Sequence, residues 1–426
     1  METIEKKSEK QPDSSELSMK SLLPGFLRWT VIAIIVGLVV GGVATAFDKA
    51  VEWATEFRQT HDLIILLLPI AGVIIAKSYS LFGMDKDKGT NSVLISVRSG
   101  KRLSIKMMLL IFFSTVLTHL CGGSSGREGA ALQIGGSTAV FISRPLKINS
   151  GERPIITMCG MSAGFAALFG TPIAAAVFAM EIVSVGVMYY AAIVPCVLSA
   201  IIGVGLAETL SVAPTAFHIL GMPQTSALLL LQVIAMGVLG AMVSMLFCRA
   251  MHLAPALYDK FLPNHLVRAA VGGALVVALT LIIGSRDYNG AGTQLIAAAL
   301  AGNAEPEAFL LKILLTALTL GAGFKGGEIV PAFFTGSTFG CAAASLIGLS
   351  PSFGAALGMI AVFCGVTNCP LTSILLAFEL FGGEQLSMFA LVCAISYMLS
   401  GYYSLYSEQK IVYSKLRPVY INRKAK

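Results

Sequence analysis

In Gly122-Gly123-Ser124-Ser125-Gly126-Arg127-Glu128-Gly129-Ala130, a glycine-rich turn carries an adjacent arginine and glutamate inside an otherwise apolar chain. A second turn of this kind, Gly326-Gly327-Glu328-Ile329-Val330-Pro331, lies in the second half of the sequence. An ionisable carboxylate at bilayer depth is costly, and such residues mark ion or proton pathways. Two glycine-flanked carboxylates at matching places in two halves therefore predict one site at a repeat interface.

The composition is that of a membrane protein. Of the 426 residues, 56% are hydrophobic and only 12% are charged, whereas soluble domains carry roughly 25% charged residues. The mean hydropathy is +0.80, and a soluble domain of this size could not cover so much apolar surface. We therefore expect a polytopic protein embedded in the lipid bilayer.

Basic residues collect at both ends of the chain, which explains its net charge of +7. The positive-inside rule then predicts that both termini are cytoplasmic. The basic residues form no stripe interleaved with exposed aromatic residues, so we expect no nucleic-acid partner. Because residues 1–20 are polar, they are predicted to form a disordered cytoplasmic tail.

The apolar segments differ in length. Four are long enough to cross a membrane: Trp29–Phe47, Leu63–Phe82, Leu228–Phe247, and Leu386–Leu399 with its flanks. Many others fall short of the about 20 residues that a full crossing takes, for example Met107–Leu120, Ile155–Phe169, Phe309–Leu320 and Ala355–Cys364. Short, glycine-interrupted segments predict broken or re-entrant helices, which are tolerated where they line a cavity or are buried in protein. This pattern indicates a transporter or a channel.

The two halves of the sequence repeat each other. Aligning Glu128 with Glu328 also matches Gly126 with Gly326, and at nearly the same offset Pro172 matches Pro370 and Glu181 matches Glu379. Two blocks in the same order make chance an inadequate explanation. We predict a first transmembrane repeat over residues 21–222, a second over 223–415, and a short basic cytoplasmic tail over 416–426.

Three glycine-rich loops are each followed by a predicted helix. These loops are Gly89–Ser92, Gly126–Gly129 and Gly326–Glu328, and their helices are Val93–Val97, Ala130–Phe141 and Ala332–Ala344. A helix N-terminus offers unpaired N–H donors and the positive end of the helix dipole. Three such termini that converge would form an anion site.

At these residues the chain resembles the CLC family of anion channels and proton-coupled anion antiporters. Gly126-Arg127-Glu128-Gly129 is similar to the family's gating-glutamate motif, and Gly326–Pro331 to its Gly-x-Phe-x-Pro pattern. Leu405-Tyr406-Ser407 is most similar to the stretch whose tyrosine donates its hydroxyl to the central anion, with Tyr402, Tyr403 and Tyr413 as rivals. The resemblance covers about residues 26–415. It implies an all-α fold of two inverted-topology repeats, a homodimer, and a multi-pass protein of the bacterial-type plasma (inner) membrane.

Three departures from the chloride-selective pattern resemble the fluoride/proton antiporter subfamily instead. Gly89-Thr90-Asn91-Ser92-Val93 stands where chloride members have Gly-Ser-Gly-Ile-Pro, Ile182 stands where their antiporters have a proton-relay glutamate, and Glu328 replaces an apolar residue. Val330 differs from that subfamily, which often has threonine there. The resemblance thus implies export of fluoride in exchange for protons.

We expect Glu128 to be both gate and proton carrier. Its ionised carboxylate would occupy the anion position, and protonation would release it and admit an anion; the alternative is that Glu128 only pairs with Arg127. Glu328 is a candidate for a central proton or ion site, or a cap of its helix. Asn91 is an ion ligand or a turn former, and Tyr406 an anion donor or an interfacial tyrosine. The expected anion-binding residues are Thr90, Asn91, Gly126, Arg127, Gly129, Gly327, Ile329, Val330 and Tyr406.

Other functions remain open at this stage. The nearest alternatives are a chloride/proton antiporter and a passive chloride channel, and a membrane-embedded enzyme is a remote one. The five histidines show no metal-ligand spacing, and His119 has no motif partner for a catalytic dyad. We expect no enzymatic activity, no metal and no cofactor, and we expect the eight cysteines to be small buried residues.

Overall fold

The computed structural model of the protein describes residues 19–426. The predicted N-terminal tail, residues 1–20, lies almost entirely outside the described residues. Within them the chain forms helices α1 to α8 in its first half: Met19–Thr60, Leu68–Leu81, Thr90–Ser99, Ile105–Leu120, Glu128–Ile142, Arg153–Phe169, Pro172–Glu181 and Ile193–Thr209. Helices α9 to α16 follow: Ala227–Phe261, His265–Ile283, Thr293–Leu300, Ala308–Gly321, Ile329–Ile347, Pro351–Thr367, Pro370–Phe381 and Leu386–Leu399. Two 3-10 turns, Asp62–Leu67 and Tyr190–Ala192, precede α2 and α8.

The predicted division into long and short helices is confirmed except for Leu386–Leu399, which was predicted with its flanks to be a full span but forms the 14-residue α16. Six helical segments of the described chain are long and apolar enough to cross a membrane. The helices α4, α6, α12 and α14 have 16, 17, 14 and 17 residues, fewer than a full crossing needs. Large apolar side chains on α1, α2, α9 and α10 are exposed, as expected of surfaces that face lipid.

The same local signal breaks the chain in both halves. Helix α6 ends at Gly170 with φ +70°, and Pro172 occupies the first turn of α7. In the second half α14 ends at Asn368 with φ +58°, and Pro370 occupies the first turn of α15. A left-handed residue terminates a helix and a proline suits the first turn of the next one. The aligned Pro172 and Pro370 therefore mark equivalent helix breaks.

The innermost helices pack through glycine in both halves. A Cβ on Gly135 would lie 2.1 Å from the Gly160 oxygen, where α5 crosses α6. A Cβ on Gly336 would lie 2.5 Å from the Gly358 oxygen, where α13 crosses α14. Small residues allow membrane helices to approach this closely. These two helix pairs are buried along most of their length and form the centre of the molecule.

The structure adds a small sheet that the all-α prediction did not contain. Strands β1 (Ser184–Val185), β2 (Lys410–Tyr413) and β3 (Tyr420–Lys424) lie in that order, with β1 parallel to β2 and β2 antiparallel to β3. Part of the predicted C-terminal tail is thus a strand. The sheet fixes the segment after α16 against the chain that follows α7.

Candidate anion site

The two glycine-rich turns meet at a two-stranded backbone contact. The Gly126 N–H donates to the Gly327 oxygen and the Gly327 N–H donates to the Gly126 oxygen, each at 2.7 Å. Glycine is needed at this contact, because a Cβ on Gly327 would lie 2.6 Å from the Gly129 nitrogen. The pairing brings the starts of α5 and α13, and therefore Glu128 and Glu328, to one place.

The start of α3 joins them at Gly129. The Thr90 hydroxyl donates to the Gly129 oxygen at 3.3 Å. A Cβ on Gly129 would lie 3.1 Å from the Gly327 Cα, 3.4 Å from Thr90 Oγ1 and 3.5 Å from Glu328 Oε2. The three helix starts that the sequence singled out therefore converge, and their N–H groups and dipoles make the region favourable for an anion.

The Glu128 carboxylate lies on the N-terminus of its own helix. The side chain is 2% exposed, and its Oε2 accepts the Arg127 backbone N–H at 3.0 Å. The same oxygen lies 2.6 Å from the position of a Cβ on Gly126, so a larger residue there would displace it. In this conformation the carboxylate occupies the place that a bound anion takes at a helix N-terminus.

The Arg127 side chain serves mainly another partner. Its guanidinium forms an ion pair with the buried Asp48, whereas its Nε is 3.9 Å from Glu128 Oε1. Glu128 is thus bound more closely by the Arg127 backbone than by the Arg127 charge. A carboxylate held by a backbone N–H can leave without breaking a tight ion pair.

Glu328 is the N-cap residue of α13 but makes no side-chain capping hydrogen bond. Its side chain is partly exposed and its Oε2 lies beside Gly129. The neighbouring Ile329 and Val330 are 0% and 4% exposed. The Val330 Cβ lies 3.1 Å from the position of a Cβ on Gly126, so Val330 forms an apolar wall against the Glu128 turn.

Tyr406 differs from its rivals in having a buried, free hydroxyl. It is 1% exposed, and its hydroxyl has no hydrogen-bond partner among residues 19–426. Tyr402 instead bonds Ser414 at 3.1 Å through its hydroxyl. The other two rivals also lie elsewhere: Tyr403 packs its ring against Arg249, and Tyr413 is 45% exposed.

Asn91 binds the C-terminal segment. Its Oδ1 accepts the Glu408 backbone N–H at 2.9 Å. The Glu408 carboxylate in turn is paired with Lys424 at 2.7 Å, Lys88 at 3.0 Å and Arg98 at 3.3 Å. The loop that begins α3 is therefore tied to the strands near the chain end, while Thr90 contacts the converging helix starts.

Sequence reasoning missed Gln133, one helical turn after Gly129. Its Nε2 donates to the Gly129 oxygen at 3.1 Å and to Thr90 Oγ1 at 3.3 Å. The side chain is 3% exposed and its Oε1 is buried without a partner among the described residues. A polar residue four positions after Gly129 on an apolar helix was the available signal.

Sequence reasoning also missed Lys312, which is connected to the turn before Glu128 through two shared backbone oxygens. Its Nζ donates to the Tyr288 oxygen at 3.0 Å and to the Gly290 oxygen at 2.7 Å. The same two oxygens accept from the Ser124 hydroxyl at 2.9 Å and the Ser125 N–H at 3.2 Å. Lys312 therefore sets the position of the turn through the intervening loop.

Lys312 is completely buried, and its ammonium lies 5.1 Å from the centre of the Phe334 ring. No carboxylate in residues 19–426 is within 4.0 Å of it. A lone lysine in the apolar segment Phe309–Leu320 was a visible anomaly, since an intramembrane charge is a functional candidate by default.

The aligned Glu181 and Glu379 each bind the start of a helix in the other repeat. Glu181 accepts from the Leu371 N–H at 3.1 Å, the Thr372 N–H at 2.8 Å and the Thr372 hydroxyl at 2.6 Å, at the start of α15. Glu379 accepts from the N–H groups of Ile173 and Ala174 at 2.9 and 2.8 Å, at the start of α7. Each carboxylate caps the helix of the opposite repeat.

The chain is similar to several known proteins over most of its length. The pattern of the family described as voltage gated chloride channel matches residues 71–401. A chloride/fluoride channel protein of Pseudomonas syringae pv. tomato is 34% identical, over 92% of this chain and 89% of that protein. The H(+)/Cl(−) exchange transporter ClcA of Citrobacter koseri is 27% identical, over 83% of this chain and 81% of its own.

Among solved structures, a CLC-type fluoride/proton antiporter superposes with a TM-score of 0.87 at 31% identity, over 92% of this chain and 99% of the other. The resemblance to the CLC family and the mainly helical membrane fold are thereby confirmed, and the inverted repeats are consistent with that fold. The protein belongs to the CLC family, whose sequence pattern is that of the voltage gated chloride channels.

Proposed function

We propose that the protein is a proton-coupled halide antiporter, and that it exports fluoride in exchange for protons. The observation that carries this proposal is the position of the Glu128 carboxylate on the converging helix starts. It accepts a backbone N–H that would otherwise be available to an anion. Two relatives support fluoride: the Pseudomonas protein and the solved antiporter carry fluoride in their names.

Competition for one positive site couples the two ions. An ionised Glu128 is held at the N-terminus of α5 by the same donors and dipole that attract a halide. A protonated Glu128 loses this attraction and leaves, so that a halide enters. A glutamine at this position could leave but could not carry a proton, and an alanine could not block the site.

Other residues complete the anion site in this proposal. Thr90 and Tyr406 offer hydroxyl donors, and the backbone at Gly126, Arg127, Gly129, Gly327, Ile329 and Val330 surrounds the ion. Glu328, when protonated, donates a hydrogen bond to fluoride, a small and strongly hydrated anion that requires several donors. Asn91 positions the loop through its bond to Glu408 rather than by contact with the ion.

Glu328 also takes the place of the missing inner proton relay. The relay position holds Ile182, which is fully buried, and the neighbouring Glu181 is occupied by three donors of α15. Glu328 is left as the second carboxylate beside the pathway, 3.5 Å from the Cβ position of Gly129. A proton therefore passes between Glu128 and Glu328 in this scheme.

A chloride/proton antiporter is the second candidate, favoured by the similarity to ClcA at 27% identity. A passive chloride channel is a third. Ile182 and Glu328 argue against both, because they are the positions at which the sequence departs from the chloride pattern. Enzymatic activity is not part of the proposal.

The proposal includes an arrangement in the membrane. We place the protein in a bacterial-type inner membrane with both termini cytoplasmic, with repeats over residues 21–222 and 223–415 and a basic tail over 416–426. It acts as a homodimer with one pathway in each subunit. The candidate subunit contacts are the apolar stretch Val187–Leu206, where Val187, Ile193 and Ile201 are exposed, and its counterpart Phe389–Leu399.

Efflux from liposomes tests the function. Vesicles loaded with fluoride or with chloride are diluted into halide-free buffer, and a halide electrode and a pH electrode record both fluxes. Fluoride release with proton uptake and little chloride release supports the proposal. Equal chloride flux supports the second candidate, and halide flux without proton movement supports a channel.

A further inference from the structure

A cavity of about 750 Å³ opens beside the C-terminal end of α1 and is lined by Arg58, His119, Arg127, Arg286 and Asn289. Arg127 immediately precedes Glu128, so the cavity borders the candidate anion site. The residues that line it on the α1 side also include carboxylates. Whether the cavity attracts an anion therefore depends on which of its arginines already form ion pairs with carboxylates.

Two of the three arginines have ion-pair partners, and one has none. Arg127 pairs with Asp48, and Arg286 pairs with Asp62 at 2.5 Å. Arg58 has no carboxylate within 4.0 Å in residues 19–426, and its Nε and Nη1 atoms are buried without hydrogen-bond partners there. A buried guanidinium with unmade hydrogen bonds is costly, and an anion in the cavity would offset that cost.

A second basic residue, the buried Lys312, lies near Arg58. Arg58 Nη2 lies 2.9 Å from the Cβ position of Gly290, and Lys312 Nζ lies 2.7 Å from the Gly290 oxygen. Arg58 and Lys312 thus both lie close to Gly290, which stands between the lining residues Asn289 and Ala291. The cavity lining also includes Glu52, Glu56 and Asp287, which form no ion pair within 4.0 Å in residues 19–426, so the attraction for an anion is local to the Arg58 guanidinium.

The cavity also offers hydrogen-bond acceptors, which the hydration water of an ion requires. His119 is fully buried, lines the cavity, and has its Nδ1 2.9 Å from the Thr115 oxygen. This contact fixes the ring proton on Nδ1 and leaves Nε2 as an acceptor. His119 Nε2 and Asn289 Oδ1 are both buried without partners in the described chain. Acceptors of this kind suit the water that hydrates an ion, not the ion itself.

We propose that this cavity is an anion-binding site separate from the Glu128 site, and that it takes a small, partly hydrated halide. The Arg58 guanidinium donates to the ion, while His119 Nε2 and Asn289 Oδ1 accept hydrogen bonds from its hydration water. The ion binds in this cavity on its way to or from the Glu128 site. This inference rests on the proposed anion transport for its role, although the binding itself does not depend on it.

Anomalous diffraction with bromide as the probe tests the binding. Crystals of the wild-type protein grown in sodium bromide are expected to show an anomalous peak at hydrogen-bond distance from the Arg58 guanidinium. The peak should vanish in Arg58→Gln and persist in Arg286→Gln, which alters a paired arginine of the same cavity. A wild-type map without this peak, or a peak that survives Arg58→Gln, overturns the proposal.

Flux measurements test the role. Arg58→Gln is expected to raise the apparent KM for halide on the cavity side about tenfold, as the loss of a charged hydrogen bond predicts, with the maximal rate changed less than about twofold. Arg58→Lys, which keeps the charge, should lie closer to the wild type, and Arg286→Gln should match it. An unchanged KM in Arg58→Gln, with thermal unfolding like the wild type, contradicts the role.

The two proposals fail in distinguishable ways. If wild-type vesicles show no proton-coupled halide flux, the proposed antiport is wrong, and the bromide peak still decides whether the cavity binds anions. If antiport is observed but the Arg58 peak is absent, only the second site is wrong.

Discussion

Gly126 and Gly327 come from opposite repeats, and their backbones exchange two hydrogen bonds of 2.7 Å at the point where α5 and α13 begin. A Cβ on Gly327 would lie 2.6 Å from the Gly129 nitrogen and would force the two backbones apart, whereas a Cβ on Gly126 would lie 2.6 Å from Glu128 Oε2 and would displace that carboxylate. The contact therefore fixes the starts of α5 and α13, and with them the backbones of Glu128 and Glu328, relative to each other. The first N–H groups of α5 have no intrahelical partner, so an anion, carboxylate or halide, is favoured there.

Removal of the Tyr406 hydroxyl should weaken anion binding without harming the fold. The hydroxyl has no protein partner in residues 19–426, so Tyr406→Phe breaks no internal hydrogen bond. A hydrogen bond to a charged partner is worth about 1.5–3 kcal/mol, and the apparent KM for halide should therefore rise at least about tenfold in liposome efflux.

Tyr402→Phe is the matched control, because its hydroxyl bonds Ser414 rather than the anion. It should lower the unfolding temperature slightly and leave the KM unchanged. If Tyr406→Phe transports like the wild type, the hydroxyl does not contact the ion.

Glu181 and Glu379, which cap helices of the opposite repeat, should stabilise the protein without taking part in proton transfer. Glu181→Ala leaves the Leu371 N–H and the buried Thr372 N–H and hydroxyl of α15 without their acceptor, a loss of about 3 kcal/mol or more. Thermal unfolding in detergent should show a clear decrease, and Glu379→Ala a smaller one because Glu379 accepts only two bonds. The ratio of protons to halide should be unchanged in both variants. A variant that unfolds like the wild type but loses proton movement would make Glu181 a relay.

Lys312 should be needed for the position of the Glu128 turn. In Lys312→Met the Tyr288 and Gly290 oxygens lose their ammonium donor, so the loop that carries Ser124 and Ser125 is less restrained. We expect halide turnover to fall by about an order of magnitude or more, by analogy with misplaced catalytic groups. Lys312→Arg, which keeps a donor, should recover part of the rate. Full activity in Lys312→Met would show that the turn holds its position alone.

Glu408 predicts a pH dependence at the end of the chain. Hydrogen bonds from Lys424 and Lys88 lower the pKa of this carboxyl from 4.5 to about 2. A lowered pKa in the folded state contributes stability that is fully present above about pH 4.5 and is lost as the pH falls through about 2. The wild type should therefore unfold at a higher temperature than Glu408→Gln at pH 6, and this difference should shrink between pH 4.5 and 2. A difference that is independent of pH across this range would contradict the ion-pair origin.

The sequence allowed the helix starts to be predicted because their signals are local. Gly89, Gly126 and Gly326 precede helices that begin within three residues of the predicted positions: α3 at Thr90, α5 at Glu128 and α13 at Ile329. The aligned Pro172 and Pro370 likewise mark real helix breaks. Turn chemistry and helix caps depend on a few neighbouring residues, so they are readable without the fold.

Contacts between residues far apart in the sequence could not be predicted from such local signals. Nothing local indicates that Lys312 donates to the Gly290 oxygen, that Asn91 binds the Glu408 backbone, or that Glu181 caps α15. The sequence predicts a tail where the structure has the strand Tyr420–Lys424, because the strand forms only by pairing with β2, which itself pairs with the distant β1. Such features arise from packing, which overrides the local preference of a short basic segment.

The most direct test of whether one carboxylate gates the anion and carries the proton uses liposomes that contain Glu128→Gln. Fluoride and proton fluxes from these liposomes are recorded simultaneously. Glutamine keeps the size of the side chain but can neither bind nor release the coupled proton. The wild type should exchange fluoride for protons, whereas Glu128→Gln should move no protons, and any fluoride that still passes should do so uncoupled. Proton movement that persists in Glu128→Gln at the wild-type ratio to fluoride would contradict the assignment of Glu128 as gate and proton carrier.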